Sequence, residues 1–274
     1  MDTITFFKMS GSGNDFIIVD NRRPVVGHLD LQRLIVNVCR RKMSVGADGF
    51  ILIEDSNVAD FKWHFYNSDG SRPEMCGNGA RCAARFAYLN GIAGAASSFE
   101  TDAGIILAEI VGDRVKVKMT DPSDIQSDFT IALSGGPCKV SSVNTGVPHV
   151  IVEEGVLDDV DVFQRGREIR NHSAFAPDGS NVNFVSIIQP NHLALRTYER
   201  GVEDETLACG TGAIAAALTT ADKTGWQSPI HVRTRSGIVL TIHFSLKNGR
   251  YEHVFLEGDA RVIYEGKLWE DAWS

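Results

Sequence analysis

Short apolar runs, broken by turns rich in glycine, asparagine and aspartate, cover most of the chain. Runs of that length with alternating or continuous apolar character fit strands better than helices. Residues 4–9 predict a strand running into a Gly-rich turn, with 16–20 as its hairpin partner. Residues 31–41 carry apolar side chains at 31, 34, 35 and 38, which is helical spacing. A turn at Gly46-Ala47-Asp48-Gly49 leads to a strand at 50–53, and another follows at 61–67. Further strands are predicted at 98–101, 105–111 and 115–119, then a linker at Asp121-Pro122-Ser123. Strand-like runs resume at 139–144, 150–153, 182–189 and 193–198, and three more at 231–234, 237–244 and 251–256 complete the pattern.

Two stretches break this strand rhythm. Residues 82–89 and 214–222 are Ala-rich and apolar on most sides, which predicts buried helices. Asn90-Gly91 supplies a helix stop after the first. Each helix is opened by the same pattern: Cys76-Gly77-Asn78-Gly79-Ala80 and Cys209-Gly210-Thr211-Gly212-Ala213. Each copy follows several strands and precedes more. The chain therefore reads as two copies of one strand-rich domain, each wrapped around one buried helix.

Composition narrows the function classes. The chain has 274 residues, 43% of them hydrophobic, enough for a core without disulfide support. Its net charge of -8 argues against nucleic acid and against an anionic membrane surface. The first residues lack the pattern of a secretory signal, and no apolar run approaches the ~20 residues that span a bilayer. A cytoplasmic location follows as an expectation, with the five cysteines as free thiols. Neither a C-x-x-C pair nor a metal-like His/Asp/Glu spacing is present, so no metal is expected. Cys39, Cys82 and Cys138 lack the Gly-rich helix start and read as small buried hydrophobes.

The duplicated pattern carries chemistry. A helix N-terminus has unpaired N–H groups and a partial positive charge, which lower the pKa of a cysteine placed there. The same N–H groups can bind a carboxylate, and glycines at 77, 79, 210 and 212 let backbone approach a ligand. Two such helix starts suit proton transfer at one carbon: one thiolate removes an α-proton and the other thiol delivers one. N–H donors on the substrate carboxylate would stabilise the carbanion. No organic cofactor is needed in principle.

Several polar residues lie in turns around these helices. Asn14 sits in Gly11-Ser12-Gly13-Asn14-Asp15-Phe16, where Phe16 and the following strand exclude a dinucleotide fingerprint. Asn67 ends a strand ahead of Cys76. Asn181 and Asn183 flank Val182, and only one of the two is expected to face the site. Glu199-Arg200 precedes Cys209 and could reach a zwitterion; His149 follows Pro148.

Five motifs together resemble the diaminopimelate epimerase family. They are Lys8-Met9-Ser10-Gly11-Ser12-Gly13-Asn14-Asp15-Phe16, Tyr66-Asn67-Ser68-Asp69-Gly70-Ser71, Glu74-Met75-Cys76-Gly77-Asn78-Gly79-Ala80-Arg81, Tyr198-Glu199-Arg200-Gly201 and Ala208-Cys209-Gly210-Thr211-Gly212. The resemblance implies an α+β fold of two pseudo-symmetric β-barrel-like domains, each around a central α-helix. The first would span 1–119, completed by about 256–274, and the second 120–255. It implies cofactor-independent interconversion of LL- and meso-diaminopimelate by a cytoplasmic homodimer, on the route to lysine and peptidoglycan. Cys76 and Cys209 would be the acid/base pair. Asn14, Asn67, Gly77, Asn78, Asn181, Glu199, Arg200, Gly210 and Thr211 would bind the amino-acid substrate, with His149 and Glu199 tuning the thiols.

Two positions depart from the family pattern: Gly49, where some members carry Gln, and Val147, where some carry Asn before Pro-His. Both bear on substrate recognition. A related epimerase for histidine or hydroxyproline, a cysteine hydrolase using His149, and a noncatalytic amino-acid binder are the competing readings. Of these, a hydrolase leaves the second cysteine motif unexplained.

Overall fold

The computed structural model describes residues 3–73 and 75–274. The chain divides into two compact units. One runs as far as Val117 and is completed by Gly258–Ser274; the other is Lys118–Glu257.

In the first unit the elements are β1 (Ile4–Gly11), β2 (Asn14–Asp20), α1 (Leu31–Cys39), β3 (Gly49–Glu54), β4 (Phe61–Asn67), α2 (Gly77–Leu89), β5 (Ala96–Thr101), β6 (Gly104–Val111) and β7 (Arg114–Lys118). In the second they are β8 (Ser123–Leu133), β9 (Gly136–Asn144), β10 (Pro148–Glu153), α3 (Val162–Arg170), β11 (Asn181–Gln189), β12 (His192–Glu199), β13 (Asp204–Thr206), α4 (Gly210–Thr224), β14 (Ile230–Arg233), β15 (Val239–Lys247) and β16 (Arg250–Asp259). Strand β17 (Arg261–Leu268) returns to the first unit.

The strand pairings show the duplication. In the first unit β17, β1 and β2 pair antiparallel; β2–β3 is parallel across α1; β3–β4 is antiparallel; β4–β5 is parallel across α2; β5, β6 and β7 are antiparallel. In the second, β8, β9 and β10 pair antiparallel; β10–β11 is parallel across α3; β11–β12 is antiparallel; β12–β14 is parallel across α4; β14, β15 and β16 are antiparallel. Each parallel pair needs a crossover connection, and α1, α2, α3 and α4 supply it where the pairing order requires. The C-terminal β17 fills in the first unit the place that β8 holds in the second.

Small side chains explain how strands can surround α2 and α4. Ala80, Cys82, Ala83, Ala84 and Ala87 of α2 are buried, as are Ala213, Ala215, Ala216, Ala217 and Ala221 of α4. α2 packs on β1, β2, β3 and β6, and α4 on every strand from β8 to β12 and on β14 and β15. α1 instead buries one stripe, Leu34, Ile35 and Val38, each contributing about 1.5–3 kcal/mol.

Four elements depart from the expected pattern. The linker expected at 121–123 runs directly into β8, whose side chains are largely exposed and whose register slips twice against β9. Polar residues on both faces hide such a strand. α3 has few apolar positions, and its central Gly166 exists for packing: a Cβ there would lie 2.5 Å from Cβ of Tyr198. β13 is three residues long, and β17 keeps Val262, Ile263 and Tyr264 exposed, so neither shows a buried-strand pattern. Among the described residues no helix is long and apolar enough to cross a membrane.

Candidate active site

Helix caps separate the two cysteines from the rest of the chain. Asp30 and Asp161 cap α1 and α3, each accepting from the backbone N–H three residues on, as good N-caps do. α2 and α4 are capped by Cys76 and Cys209 instead. Sulfur is a weak acceptor, so a cysteine is a poor choice for holding a helix end. The two caps are alike in detail: Sγ of Cys76 accepts from N of Gly79 at 3.4 Å, and Sγ of Cys209 accepts from N of Gly212 at 3.4 Å. Their backbones are both extended, with φ/ψ of -144/110 and -120/112.

The strand order places the polar candidates at matched positions. Asn67 is the last residue of β4 and Glu199 the last of β12; each strand leads toward a cysteine-capped helix. Gly49 opens β3, opposite Asn67, and Asn181 opens β11.

In the first unit a hydrogen-bonded chain links the candidates Asn14 and Asn78 to Asp48. Oδ1 of Asn14 accepts from Nδ2 of Asn78 at 2.5 Å, and Nδ2 of Asn14 donates to Asp48 at 3.2 Å. Behind them lies Arg81, fully buried, donating to Oδ1 of Asn78 and to Oγ of Ser12, each at 2.8 Å. It also reaches the carbonyls of Gly77 and Asp259. Arg81 thus fixes the first turn of α2. Asn67 stands apart from this chain and donates to Oγ of Ser71 at 2.9 Å. Asp48 is held by Arg41, which also grips Asp15. Burial pushes the Asp15 carboxyl up, but hydrogen bonds from Arg41 and Lys8 outweigh it and bring its pKa down to about 2.

In the second unit the first turn of α4 is tied to its surroundings by Thr145, whose hydroxyl donates to the Thr211 carbonyl at 3.2 Å. Oγ1 of Thr211 lies 3.5 Å from Sγ of Cys209. Asn181 accepts the backbone N–H of Arg200 at 2.8 Å, which joins β11 to the end of β12. The Arg200 side chain donates to the carbonyl of Asp178 at 3.4 Å. Glu199 accepts from Oγ1 of Thr206 at 2.8 Å. His149 and Asn181 are register partners on β10 and β11.

Three expectations need correction or extension. The first concerns Cys209, where a helix N-terminus was expected to favour thiolate. Burial and the neighbouring Glu199 carboxylate push the thiol pKa up to about 12, although Thr211 and the N–H groups of Gly212 and Thr211 pull the other way. Desolvation wins because the sulfur is buried, and Cys209 is a protonated thiol here. Glu199 is itself raised by burial, against the Thr206 hydrogen bond. The second adds a packing role for three of the motif glycines, beside the backbone approach expected of them. A Cβ on Gly79 would meet Trp63 at 3.3 Å, one on Gly210 would meet Leu256 at 2.8 Å, and one on Gly212 would collide with Oδ1 of Asn183. These three glycines make room for the protein's own side chains. We expect Gly212→Ala to lower stability by about 1–3 kcal/mol, since overpacking forces neighbours off their rotamers; urea unfolding checks this. The third concerns Asn183. Residues two apart on a strand share a face, so Asn181 and Asn183 lie on the same side, and both are buried.

Hydrogen bonds add Asn183, Asp48, Arg81 and Thr206 to these residues. Arg81 was readable, since it extends the first cysteine motif. Nothing in the spacing marks Thr206.

His149 is buried, and burial, helped by the Arg200 charge, brings its pKa down to about 3. No hydrogen bond joins it to Cys209 among the described residues. The departure at Gly49 has a structural cause: a Cβ there would lie 2.5 Å from Phe65 and 2.9 Å from the Tyr66 carbonyl. A longer residue would need Phe65 to move.

Solved structures share this fold at low sequence identity. A phenazine biosynthesis protein of the PhzF family from Bacillus anthracis superposes with a TM-score of 0.73 at 17% identity, covering 98% of this chain and 100% of that one. A probable proline racemase from Agrobacterium radiobacter gives 0.67 at 15% identity, covering 99% and 94%. Curated relatives are nearer in sequence. The diaminopimelate epimerase of Aquifex aeolicus is 46% identical over 97% of this chain and 98% of its own length. That of Chlorobaculum tepidum is 42% identical over 95% and 99%. The family model described as diaminopimelate epimerase matches residues 6–125 and 141–263. With both cysteine-capped helices inside the matched segments, the chain belongs to the diaminopimelate epimerase family.

Proposed function

We propose that this protein interconverts LL- and meso-2,6-diaminopimelate by moving a proton at one α-carbon between two sulfurs. The observation that carries the reading is the pair of cysteine caps at equivalent helix starts, in a chain whose other two crossover helices have ordinary aspartate caps. Inversion needs one sulfur to remove the α-proton from one face and the other to deliver a proton to the opposite face. The Cα–H bond breaks as an S–H bond forms on the thiolate. The thiol's S–H bond breaks as the new Cα–H bond forms, so the two sulfurs exchange roles at each turnover.

Cys209, held as a thiol by burial and by Glu199, is the donor at rest, and Cys76 is the base. For the reverse direction Cys209 must become a thiolate. An α-ammonium next to Glu199 would neutralise the carboxylate that raises the thiol, and so would lower its pKa. The remaining N–H groups of the first turns of α2 and α4 suit the carboxylate of the carbanion. Asn14, Asn67 and Asn78 in one unit, and Asn181 and Arg200 in the other, suit the two amino-acid head groups of the substrate. No step requires an organic cofactor or a metal. We propose, as the family resemblance implies, a cytoplasmic homodimer that supplies lysine and peptidoglycan synthesis.

The test is solvent deuterium incorporation into LL-diaminopimelate, read by mass spectrometry with no cofactor added. The expected result is deuterium at one α-carbon together with meso product. Folded, reduced protein that incorporates none would reject this substrate. Incorporation into histidine or hydroxyproline instead would move the assignment to those epimerases.

A further inference from the structure

Among the described residues, Nε2 of His149 is the buried side-chain polar atom without a hydrogen-bond partner. Its other ring nitrogen is held tightly. Nδ1 of His149 lies 3.0 Å from Nδ2 of Asn183, a fully buried amide on β11. The orientation of that amide is set without reference to the histidine. Nδ2 also lies 3.1 Å from the carbonyl of Val150, which can only accept, and Oδ1 takes the hydroxyl of Thr197 at 2.9 Å. Turning the amide over would set its oxygen against the Val150 carbonyl. One hydrogen of Nδ2 therefore goes to Val150 and the other to His149.

We propose that Asn183 is a positioning residue that locks His149 in its neutral Nε2–H tautomer, so that His149 serves the site as a hydrogen-bond donor and not as a base. A donor on Asn183 requires a lone pair on Nδ1, and a neutral imidazole then carries its proton on Nε2. The same donor opposes an imidazolium, whose Nδ1–H would point at an N–H. Burial acts in the same direction. A buried donor left unsatisfied is costly. Such a donor held in fixed orientation fits an anionic acceptor that arrives with the substrate, a carboxylate oxygen. Asn183 also touches the turn that carries Cys209, because its Oδ1 fills the space beside Gly212. One side chain thus sets both the histidine tautomer and the packing of the cysteine-capped turn.

The inference rests on reading His149 as part of the site, but its central claim is tested on unliganded protein, so its failure is separable from failure of the substrate assignment. In protein labelled with ¹⁵N-histidine, long-range ¹⁵N–¹H correlation spectra assign the tautomer, with His149→Gln identifying the ring. The expected spectrum has Nδ1 unprotonated and Nε2 protonated, unchanged from pH 5.5 to 8. A protonated Nδ1, or an imidazolium titrating within that range, overturns the proposal. In Asn183→Asp the carboxylate accepts from Nδ1, so the tautomer reverses to Nδ1–H. The turnover number then falls between about 10-fold and about 10⁴-fold, the range for lost outer partners and wrong imidazole tautomers, with a smaller change in KM. Should that variant not fold, Asn183→Leu removes the donor and lets both tautomers appear. An unchanged Nε2–H tautomer in either folded variant overturns the role assigned to Asn183.

Discussion

Cys209→Ser loses epimerisation by about 10³-fold or more, the scale of a lost general acid or base, while the fold keeps its stability within about 1 kcal/mol. The two halves of that expectation have different causes. Serine is a preferred N-cap, so its oxygen takes over the hydrogen bond from N of Gly212 at least as well as sulfur does. The chemistry fails because an alkoxide is out of reach at a position where even the more acidic thiol has its pKa pushed up to about 12. Cys76→Ser behaves in the same way, since it shares the cap geometry. Thermal melts and turnover assays on both variants check the prediction. Substantial turnover by either serine variant would sink the two-sulfur mechanism. A large loss of stability would mean that the cysteines cap their helices better than sulfur should.

Deuterium exchange separates the roles further. In the direction that starts with Cys76 as the base, Cys76→Ser should block removal of the α-proton. Cys209→Ser leaves the base and removes the donor, so wash-out of the α-deuteron from labelled substrate should persist longest in that variant. The asymmetry follows from the protonated state of Cys209.

The duplication was legible in the sequence because the cysteine motifs and Ala-rich helices repeat in order, and the parallel pairings across α2 and α4 follow from that repeat. Less visible was what depends on contacts between distant residues. β8 and β17 expose polar or mixed faces, so they lack the periodicity that marks a half-buried strand. α3 carries a glycine at its centre for the sake of Tyr198, which no local propensity records. At the site, the motifs located the cysteines and the turns around them. The state of Cys209 was not readable, because local rules gave the donors of the helix end and omitted the burial that outweighs them. The packing role of Gly79, Gly210 and Gly212 is hidden for a similar reason: their Cβ positions are filled by Trp63, Leu256 and Asn183, residues remote in sequence. Asn183 itself was visible as a residue, but its partners come from two other strands, β10 and β12.

The second large effect is on stability in acid. His149 has a pKa of about 3 in the fold, against 6.5 for a free imidazole, because it is buried and lies near the Arg200 charge. Below pH 6.5 the unfolded chain therefore binds a proton that the folded chain refuses, and stability falls as pH falls toward 3. The contribution is complete above pH 6.5. At about 1.4 kcal/mol per pH unit, moving from pH 7 to pH 4.5 removes about 2–3 kcal/mol through this one group. Asp15 acts over a lower range, since its pKa of about 2 lies below the ordinary 3.8; its stabilisation is lost only as pH falls below about 4. The two groups can therefore be told apart. Urea unfolding of the wild type and of His149→Asn, each at pH 7 and pH 4.5, isolates the histidine. The variant is expected to be less sensitive to acid by about 2–3 kcal/mol, whatever its stability at pH 7. Equal acid sensitivity of the two proteins would mean that His149 takes up its proton in the fold as readily as in the unfolded chain. The tautomer assigned to it through Asn183 would then be wrong as well, because an imidazolium cannot accept from that amide.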